Sequence, residues 1–424
     1  MIIALILIIL ALLGAPLFAV IAAGALWAFY QSGGNLAIMA VEFYRLAEMP
    51  MLVAIPLFTF AGYLLSESGA PTRLVNLSQA LLGWLPGGLA IVALAACAIF
   101  TAFTGASGIT IIALGALLYP ALSQAGYPDR FNLGLITTSG SLGLLFAPSL
   151  PLILYAVIAE QMNVGRSFTI NEMFMAGILP GLLMLVLLSA WSLWVNRHQP
   201  RHRFTWKQVR TALHAARWEV PLPFLVLGGI YSGYFAVSEA AAVTALYVFI
   251  VEMLLYREIP WNKLPRIMRE SMVLVGALLV ILGVSMGSTN YLIDSGVPTH
   301  LFNAVKGIVD DQLTFLLLLN LFLLILGTIL DIFSALVIVT PLLLPVAVAY
   351  GIDPVHLGII FLANMQIGYF TPPVGLNLFI ASYRFKKPVM ELYRATLPFF
   401  VILLAATLII TYWPALSLAL SRTH

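Results

Sequence analysis

Long uncharged stretches recur along this chain, and they limit its fold more than any other feature. Ala176–Val195 and Met272–Ile293 are two of them, and each is long enough as a helix to cross the hydrocarbon core of a bilayer. Apolar side chains make up 62% of the residues and charged ones only 9%, whereas soluble domains carry about 25% charged residues. These features predict an all-α polytopic membrane protein. They exclude a nucleic-acid binder, a secreted disulfide scaffold and a soluble Rossmann enzyme.

Basic residues cluster in three loops, and these clusters predict the orientation of the chain. They are Arg197–Arg217, Arg257–Arg269 and Arg384–Arg394, and the positive-inside rule assigns all three to the cytoplasm. Counting crossings from these clusters, residues 132–158 run from inside to outside and residues 356–383 run from outside to inside. These two long segments therefore point in opposite directions. The apolar run from Met1 to about Tyr30 lacks the basic start of a cleavable signal, so we expect it to be the first membrane helix.

Two parts of the sequence resemble each other. Residues 65–76 and 292–303 share Leu, Ser, Gly, Pro, Thr, Leu and Asn at matching places. At a similar offset, Gly143 matches Gly368 and Pro148 matches Pro373. Together with the opposed directions, these matches predict an inverted-topology repeat. Residues 1–220 form its first half, with the cytoplasmic basic loop, and residues 221–424 form the second. Many secondary transporters are built in this way, with substrate and ion sites at the repeat interface near the midplane.

Glycines and prolines interrupt both long segments. Gly368–Asn377 contains Thr371-Pro372-Pro373, in which the prolines remove two backbone donors and push Thr371 away from helical geometry. Gly143–Pro151 is the matching region of the first long segment. Irregular backbone survives in hydrocarbon only inside protein or beside a water-filled cavity. We therefore predict that both long segments are broken helices, and that the carbonyls of residues 368–371 lose their partners and can face a cation. The alternative is an ordinary proline kink.

The stretches before the two long segments are predicted to be re-entrant hairpins. They cover about residues 86–122, with Thr101–Gly108 in the middle, and residues 312–349, with Gly327–Asp331 near the middle. If each stretch turns back at the midplane, its tip of Gly, Ser, Thr and Asp residues meets the broken helices. Two full crossings would also fit the lengths.

Asp331 is the one acidic residue of the stretch 312–349. An ionisable residue inside a membrane segment is costly and is by default functional. No lysine or arginine lies nearby in the sequence, so we expect its partner to be a monovalent cation. The alternative is an aspartate in a solvent-exposed turn between two full crossings.

Four motifs resemble the large membrane subunit of the TRAP transporters, the tripartite ATP-independent periplasmic transporters of bacteria and archaea. They are Gly-x-x-Thr-Pro-Pro-Val-Gly-x-Asn-Leu-Phe at Gly368–Phe379, Gly327–Pro345 with Asp331, Ser-Glu-Ala-Ala-Ala at Ser238 and Gly-Ala-Ser-Gly at Gly105. The resemblance covers essentially the whole chain. It implies an elevator-type fold in the bacterial inner membrane, in which a hairpin-bearing domain moves against a scaffold. It also implies sodium-driven import of an organic anion, such as a C4-dicarboxylate, sialic acid or another carboxylate.

The resemblance also assigns site residues by motif. It implies sodium sites at Ser107, Gly143, Phe146 and Ser149 in the first half, and at Gly327, Asp331, Gly368, Thr371 and Val374 in the second. The substrate is expected at the same tips and breaks, at Thr104, Gly105, Pro148, Pro372, Pro373, Gly375 and Asn377. The first half carries Ala147-Pro148-Ser149 where relatives often carry a Pro-Pro pair.

Two protein partners are implied, namely a small four-helix membrane subunit and a periplasmic binding protein that delivers the ligand. No small subunit is fused to this sequence, so we expect a separate one. Sodium suits carbonyl and hydroxyl oxygens, and half-helix N-termini can hold a substrate carboxylate. Each positive charge that moves inward down a potential of about 100 mV contributes about 2.3 kcal/mol. No cofactor is expected beyond the coupling ion, and the sequence contains no phosphate-binding loop.

Two other functions remain open. One is a self-sufficient secondary anion transporter of the same architecture. The other is a membrane-embedded hydrolase, which needs a nucleophile with a base, or a metal cluster of His, Asp and Glu side chains. The histidines are expected in loops or at chain ends, which disfavours the hydrolase. They are His198, His202, His214, His300, His356 and His424.

Overall fold

The structure, a computed structural model, describes residues 2–85, 87–197, 205–307, 309 and 311–421. Its α-helices, in chain order, are α1 (Ile2–Leu12), α2 (Leu17–Gln31), α3 (Ile38–Ala47), α4 (Ala54–Glu67), α5 (Ala70–Leu82), α6 (Gly88–Thr104), α7 (Ser107–Gln124), α8 (Asp129–Ser139), α9 (Leu150–Met162), α10 (Ile170–Val195), α11 (Trp206–Ala215), α12 (Pro221–Tyr231), α13 (Val237–Phe249), α14 (Leu264–Asp294), α15 (Val297–Lys306), α16 (Gln312–Ile329), α17 (Ile332–Ala349), α18 (Pro354–Gly368), α19 (Leu376–Phe385), α20 (Val389–Tyr412) and α21 (Ala415–Leu418). Short 3₁₀ helices cover Pro50–Val53, Leu142–Leu145 and Trp261–Lys263, and a π-helix covers Ile250–Leu255.

No strand occurs within the described ranges, so the all-α prediction is confirmed. Some predicted features lie outside these ranges. They are Pro86, which was the expected start of the first hairpin, residues 198–204 of the first basic loop with His198 and His202, and His424.

Eight helices of the described chain are long and apolar enough to cross a bilayer, and a bent pair, Asp129–Leu145 with Leu150–Met162, allows a ninth. Many large apolar side chains on these helices point outward, and Leu317, Leu321 and Val401 are each more than half exposed. Water would destabilise such a continuous apolar surface, whereas the acyl chains of a bilayer cover it. The chain is therefore a multi-pass membrane protein.

The N-terminal apolar run forms two helices, so the prediction of one membrane helix up to Tyr30 is wrong. α1 ends at Leu12 and α2 begins at Leu17. Gly14 between them has a φ of +89°, a conformation that favours glycine, and Pro16 has no amide hydrogen for a helical bond. α1 packs back against α2, so the chain turns at this point.

Both long segments are interrupted helices. The first consists of α8, the 3₁₀ helix Leu142–Leu145 and α9, and it covers residues 129–162 instead of 132–158. The second consists of α18 and α19, and it covers residues 354–385 instead of 356–383. Irregular backbone from Tyr369 to Gly375 separates its two helices. The peptide bonds Ala147–Pro148 and Pro372–Pro373, one in each break, are cis.

A helix pair precedes each interrupted helix at the predicted position. α6 and α7 are joined by Gly105 and Ala106, and Gly105 has a left-handed φ of +65°. α16 and α17 are joined by Leu330 and Asp331. Each helix of the second pair is long enough to cross a bilayer by itself. The length of this pair therefore fits two crossings as well as a re-entrant hairpin.

The first helix of each pair packs on the interrupted helix that follows it, and the second helix packs on both interrupted helices. α6 packs on the first break at Leu142–Leu145, and α7 packs on α19 of the second interrupted helix. α16 packs on α18, and α17 packs on α9 of the first interrupted helix. Helices from both parts of the sequence therefore pack together into one group. We call this group the core assembly and define it by α6–α9 and α16–α19.

A second group of helices packs beside the core assembly. α2, α3 and α4 contact α14, and α13 contacts α4. A short helix leads from this group to each pair, because α5 follows α4 and packs on α6, while α15 follows α14 and packs on α17. The matching sequences 65–76 and 292–303 lie at these two turns. At the first turn, Arg73 forms ion pairs with Glu219, Glu252 and Glu258, which tie α5 to the chain around α13.

Candidate functional site

The turns of both helix pairs lie against the two breaks. Ser107, at the start of α7, donates its hydroxyl hydrogen to Asn377 Oδ1, near the start of α19, over 2.7 Å. Gly327 and Gly368 meet backbone to backbone, because a Cβ placed on Gly368 would lie 2.4 Å from the carbonyl carbon of Gly327. Site residues that the sequence predicted in separate halves are therefore neighbours in space.

Hydroxyl groups gather where the first helix pair meets the first break. We call this group the first cradle and define it by Thr101, Thr104, Thr138, Ser149 and the backbone of Gly143. Thr101 Oγ1 lies 2.9 Å from the carbonyl oxygen of Gly140. The hydroxyl oxygens of Thr104, Thr138 and Ser149 are fully buried and have no hydrogen-bond partner among the described residues. A buried polar group without a partner costs about 1–3 kcal/mol. Each such group is a candidate ligand for a bound ion or a polar molecule.

Ser149 illustrates how the local sequence leaves an oxygen available. It occupies the N-cap position of α9, yet its side chain accepts no hydrogen bond from the helix. A serine at this position ordinarily accepts a bond from one of the first free amides. Its own amide donates to the carbonyl of Phe146 over 3.0 Å. The ring of Phe146 packs on Gly181, so this predicted sodium residue contributes only its backbone to the break.

Close backbone packing holds the first cradle together. A Cβ on Gly143 would lie 2.3 Å from the carbonyl oxygen of Ala98 and 2.5 Å from the amide nitrogen of Ala102. A larger residue at Gly143 would therefore push α6 away from the break. Gly105 faces Leu150 in the same way, and Pro148 is buried at the cis bond.

The second helix pair and the second break form a more open arrangement. We call it the second cradle and define it by Gly327, Asp331, Gly368, Thr371 and Val374. Asp331 is exposed, and its Oδ1 accepts hydrogen bonds from the amides of Phe333 and Ser334, each over 3.0 Å. It is therefore the N-cap of α17. An exposed aspartate in a turn is the position that the alternative interpretation of Asp331 expected.

Two carbonyl groups of the second break have partners, so the expectation that residues 368–371 lose them is wrong for two of the four. The Gly368 carbonyl accepts from the amide three residues later over 3.0 Å, and the Tyr369 carbonyl accepts from the amide of Asn377 over 2.9 Å. The hydroxyl of Thr396 on α20 lies 3.5 Å from the Phe370 carbonyl but closer, at 3.1 Å, to the carbonyl of Leu392. A tight turn and the first amides of α19 thus replace the helical bonds that the prolines remove.

Tyr369 ties the second break to the second helix pair. Its hydroxyl oxygen accepts a hydrogen bond from the amide of Ile332 over 2.7 Å. The amide of Gly375 donates to the carbonyl of Thr328 over 3.1 Å, and Gly375 itself is buried. By contrast, three predicted residues of this break have exposed side chains. They are Pro372, Pro373 and Val374.

Sequence reasoning missed Thr101, Thr138 and Tyr369 as site residues. For Thr101 a signal existed, because it is a polar side chain in a long apolar stretch. The partnership of Ser107 with Asn377 had no such signal, since 269 residues separate them in the chain and they were assigned to different ligands.

Several helix N-termini lie beside the breaks. α7, α9, α17 and α19 all begin at a turn or a break, and the free amides of a helix start carry partial positive charge that favours anions. The first amides of α17 are already bonded to Asp331 and Tyr369. The N-termini of α7 and α19 meet at the Ser107–Asn377 hydrogen bond. The arrangement thus combines neutral oxygens for a cation with helix ends for an anion.

A hydrolytic metal centre finds no support. Within the described residues no group of three His, Cys, Asp or Glu side chains could hold a metal ion. Three histidines lie in helices, so their expected placement in loops or at chain ends is wrong. They are His214 in α11, His300 in α15 and His356 in α18. His356 is buried and lies 3.1 Å from both Ser417 Oγ and the carbonyl oxygen of Thr411, which accounts for both ring nitrogens.

Interrupted helices whose breaks lie beside polar side chains are typical of secondary transporters. The fold agrees with this class. The crystal structure of the Alcanivorax borkumensis YdaH transporter matches with a TM-score of 0.63 at 15% identity, covering 89% of this chain and 87% of that one. Neisseria gonorrhoeae MtrF matches with a TM-score of 0.54 at 13% identity, covering 91% and 85%.

A family model identifies the chain further. The model for the tripartite ATP-independent periplasmic transporter, DctM component, matches residues 1–416. The chain belongs to this family, which confirms the resemblance that the motifs indicated. It is a large permease subunit of the TRAP type and not an enzyme.

The relatives are named for different substrates. The chain is 36% identical to the C4-dicarboxylate TRAP transporter large permease protein DctM of Rhodobacter capsulatus, over 90% of this chain and 89% of the relative. It is 31% identical to the ectoine/5-hydroxyectoine large permease UehC of Ruegeria pomeroyi, over 97% and 96%. It is 34% identical to the isethionate TRAP permease DctMQ of Oleidesulfovibrio alaskensis over 95% of this chain, and it spans only 62% of that longer relative.

Proposed function

We propose that this protein is the large permease of a sodium-coupled TRAP system that imports a small organic anion. A carboxylate such as a C4-dicarboxylate or sialic acid is the substrate class we favour. Relatives named for C4-dicarboxylates and for ectoine, whose molecules carry a carboxylate, support this class.

One observation supports the sodium coupling, namely the first cradle, whose three buried hydroxyl oxygens have no partner within the described part of the chain. Sodium is a hard cation and binds neutral hydroxyl and carbonyl oxygens. Thr104, Thr138 and Ser149 would hold the ion together with nearby carbonyl groups, and Ser107 and Gly143 shape the surroundings. In the second cradle, Asp331 and Thr371 would hold a second ion, with Gly327, Gly368 and Val374 beside them.

The anion site that we propose lies between the two cradles. The N-termini of α7 and α19 meet there, and the positive ends of the two helix dipoles favour a carboxylate. Asn377 and Gly375 from the second break, and Thr104, Gly105 and Pro148 from the first, border this position. Pro372 and Pro373 complete its exposed rim. Sodium ions bound beside the anion would neutralise its charge, so that the loaded site carries a net positive charge and the membrane potential favours inward movement.

The movement that we propose is of the elevator type, with the core assembly as the mobile body. The group formed by α2, α3, α4, α13 and α14 is its scaffold, and α5 and α15 are the arms between them. Two helix pairs of similar placement, each followed by an interrupted helix with a cis proline bond, support an inverted repeat with halves 1–220 and 221–424. The contacts between the turns and the breaks support re-entrant hairpins, since a turn that meets a break of a crossing helix lies within the membrane.

The assembly that we propose contains a separate small four-helix membrane subunit and a periplasmic binding protein, in the bacterial inner membrane. The family name, which describes a tripartite periplasmic transporter, supports this composition. The isethionate relative is named DctMQ and is longer than this chain, which is consistent with a second component in that protein.

Uptake into vesicles tests the proposal. The chain is reconstituted with its small subunit, labelled C4-dicarboxylate is supplied on the binding protein, and an inward sodium gradient is compared with an equal potassium gradient. We expect uptake only with sodium. Uptake that persists without any sodium gradient would overturn the coupling. A further sample with the chain alone separates the tripartite system from a self-sufficient anion transporter, because only the latter transports without partners.

A further inference from the structure

The helix α11 lies in the basic loop between the two halves of the chain, and its side chains form three neighbouring stripes. Val209 and Ala216 are buried, and α11 packs on α5. Trp206 and Leu213, seven residues apart and hence on one side of the helix, are 76% and 47% exposed. The buried stripe attaches the helix to the protein, whereas most of the Trp206 surface and nearly half of the Leu213 surface point outward.

A basic stripe runs beside the exposed apolar one. Lys207, Arg210 and His214 are spaced by three and four residues and are all exposed. Arg217 follows just after the helix, and its Nη1 lies 3.3 Å from His214 Nε2. Residues 206–217 include no aspartate or glutamate. An apolar edge flanked by cationic side chains is the pattern of a helix that lies in the headgroup region of a membrane.

The neighbours of α11 place it at the height of that region. Trp194, at the end of the long helix α10, is 62% exposed, and Trp84, just after α5, is 48% exposed. Exposed tryptophans at the ends of crossing helices mark the boundary between hydrocarbon and water. The chain after α5 also touches the end of α10, since a Cβ on Gly87 would lie 3.2 Å from the carbonyl oxygen of Ser192. α5, α11 and the end of α10 therefore meet at one level.

We propose that α11 is an interfacial anchor that binds anionic phospholipids of the cytoplasmic leaflet. Trp206 and Leu213 enter the boundary of the acyl chains, while Lys207, Arg210 and Arg217 contact phosphate groups. The cationic stripe, which contains no acidic residue, favours anionic lipid over neutral lipid. The positive-inside rule also assigns this loop to the cytoplasmic surface, which is anionic. Since α11 packs on α5, lipid binding also holds in place the arm that leads to the first helix pair.

Hydrogen exchange on the full-length chain tests this site. The chain is reconstituted in phosphatidylcholine alone and in equal parts phosphatidylcholine and phosphatidylglycerol, and exchange of the amides in 206–215 is followed. We expect at least about fivefold slower exchange with phosphatidylglycerol, the factor that corresponds to one cationic side chain at an anionic surface. High salt should remove the difference, because it screens exposed charges.

Matched variants make the test specific. The triple variant Lys207→Gln, Arg210→Gln, Arg217→Gln should lose the dependence on phosphatidylglycerol, while Lys263→Gln, Arg384→Gln, Lys386→Gln, which removes three exposed cationic side chains elsewhere, should keep it. The variant Arg210→Lys, Arg217→Lys keeps the charge and should behave like the parent. If the triple variant is unfolded at 206–215 even in phosphatidylcholine, the charge-conserving variant and the salt titration still test whether α11 binds anionic lipid. Equal exchange in both lipids, or protection that appears only with the small subunit, would overturn the proposal.

Discussion

The two cradles differ in how their oxygens are satisfied. In the first, the hydroxyl oxygens of Thr104, Thr138 and Ser149 are buried and have no partner among the described residues. In the second, Asp331 is exposed and its Oδ1 already caps α17, while the hydroxyl of Thr371 donates to the carbonyl of Ile367 over 2.8 Å. The second cradle contains Asp331, the one acidic residue of its stretch of sequence. The side chains of Asp331 and Thr371 thus already take part in hydrogen bonds. The unpartnered oxygens belong to the site made of ordinary hydroxyls.

Electrostatics gives this difference a consequence. A charge that water surrounds interacts weakly, at about 1 kcal/mol for a unit charge 4 Å away, whereas the same interaction is several times stronger in a protein interior. A buried neutral oxygen can therefore contribute as much to ion binding as an exposed carboxylate. The predictions below separate the two cradles by this reasoning.

The largest effect is expected from removing the hydrogen bond that joins the first helix pair to the second break, between the two cradles. Asn377→Leu keeps the approximate volume but removes the acceptor for Ser107, and leaves that buried hydroxyl without a partner. A loss of about 1–3 kcal/mol at this point corresponds to roughly five- to hundredfold slower uptake. Initial rates of substrate uptake in the reconstituted complex measure it.

Asn303→Leu, at an exposed position of α15, is the matched control and should transport like the parent. Uptake by Asn377→Leu within about twofold of the parent, in a chain that elutes as a folded monodisperse sample, would show that the two cradles act separately.

The next effect concerns the first cradle alone. Ser149→Ala removes a buried oxygen that has no partner, so the chain without sodium should be as stable as the parent or slightly more stable. The sodium concentration for half-maximal uptake should rise about tenfold, because one ion ligand is lost. Thermal unfolding in sodium and in potassium chloride checks both points, since stabilisation by sodium should shrink with its affinity.

Ser232→Ala is the control for this measurement, because its hydroxyl bonds the Gly228 carbonyl at an exposed helix end. If Ser149→Ala lowers stability in potassium and leaves the sodium dependence unchanged, Ser149 has a structural role only.

The smallest effect is expected in the second cradle. Asp331→Asn keeps a good N-cap for α17, whereas Asp331→Ala removes it and should destabilise the chain by about 1 kcal/mol. For Asp331→Asn we expect the half-maximal sodium concentration to rise about fivefold, the factor for one charge in a water-like medium. Sodium titrations of uptake, alongside unfolding of both variants, measure the two effects.

The relative size of these shifts is informative. A greater shift for Asp331→Asn than for Ser149→Ala would mean that water leaves the second cradle during transport, so that the carboxylate acts in a dry site. If Asp331→Asn leaves the half-maximal sodium concentration unchanged, and Asp331→Ala lowers stability by the amount expected for a lost N-cap, then Asp331 only caps α17.

Much of the architecture could be predicted from local sequence. Proline and glycine act on the backbone wherever they stand, so the interruptions at Gly143–Pro151 and Gly368–Asn377 followed from the sequence alone. The helix pairs were predicted for the same reason, because a turn of small and polar residues divides each apolar run. The N-terminal run was misjudged even so, since Gly14 and Pro16 carry the same signal and were read as part of one helix.

The candidate site could be predicted only in part. Which carbonyl groups remain free depends on what packs beside them, and the amide of Asn377 satisfied one that the prolines had released. The importance of Thr138 could not be predicted, because a threonine in an apolar helix usually bonds its own preceding turn. Thr137, its neighbour, does so with Leu133, whereas Thr138 does not.

By itself, then, the sequence determined that the chain lies in a membrane, that it is helical and where its helices are interrupted. Hydrophobicity and backbone restrictions are properties of single residues and short stretches of sequence. Tertiary packing decided which oxygens have hydrogen-bond partners and which have none among the described residues. Ser107 finds Asn377 only when α7 lies on α19, and hydrogen-bond partners separated so far along a chain are a property of the assembled helices.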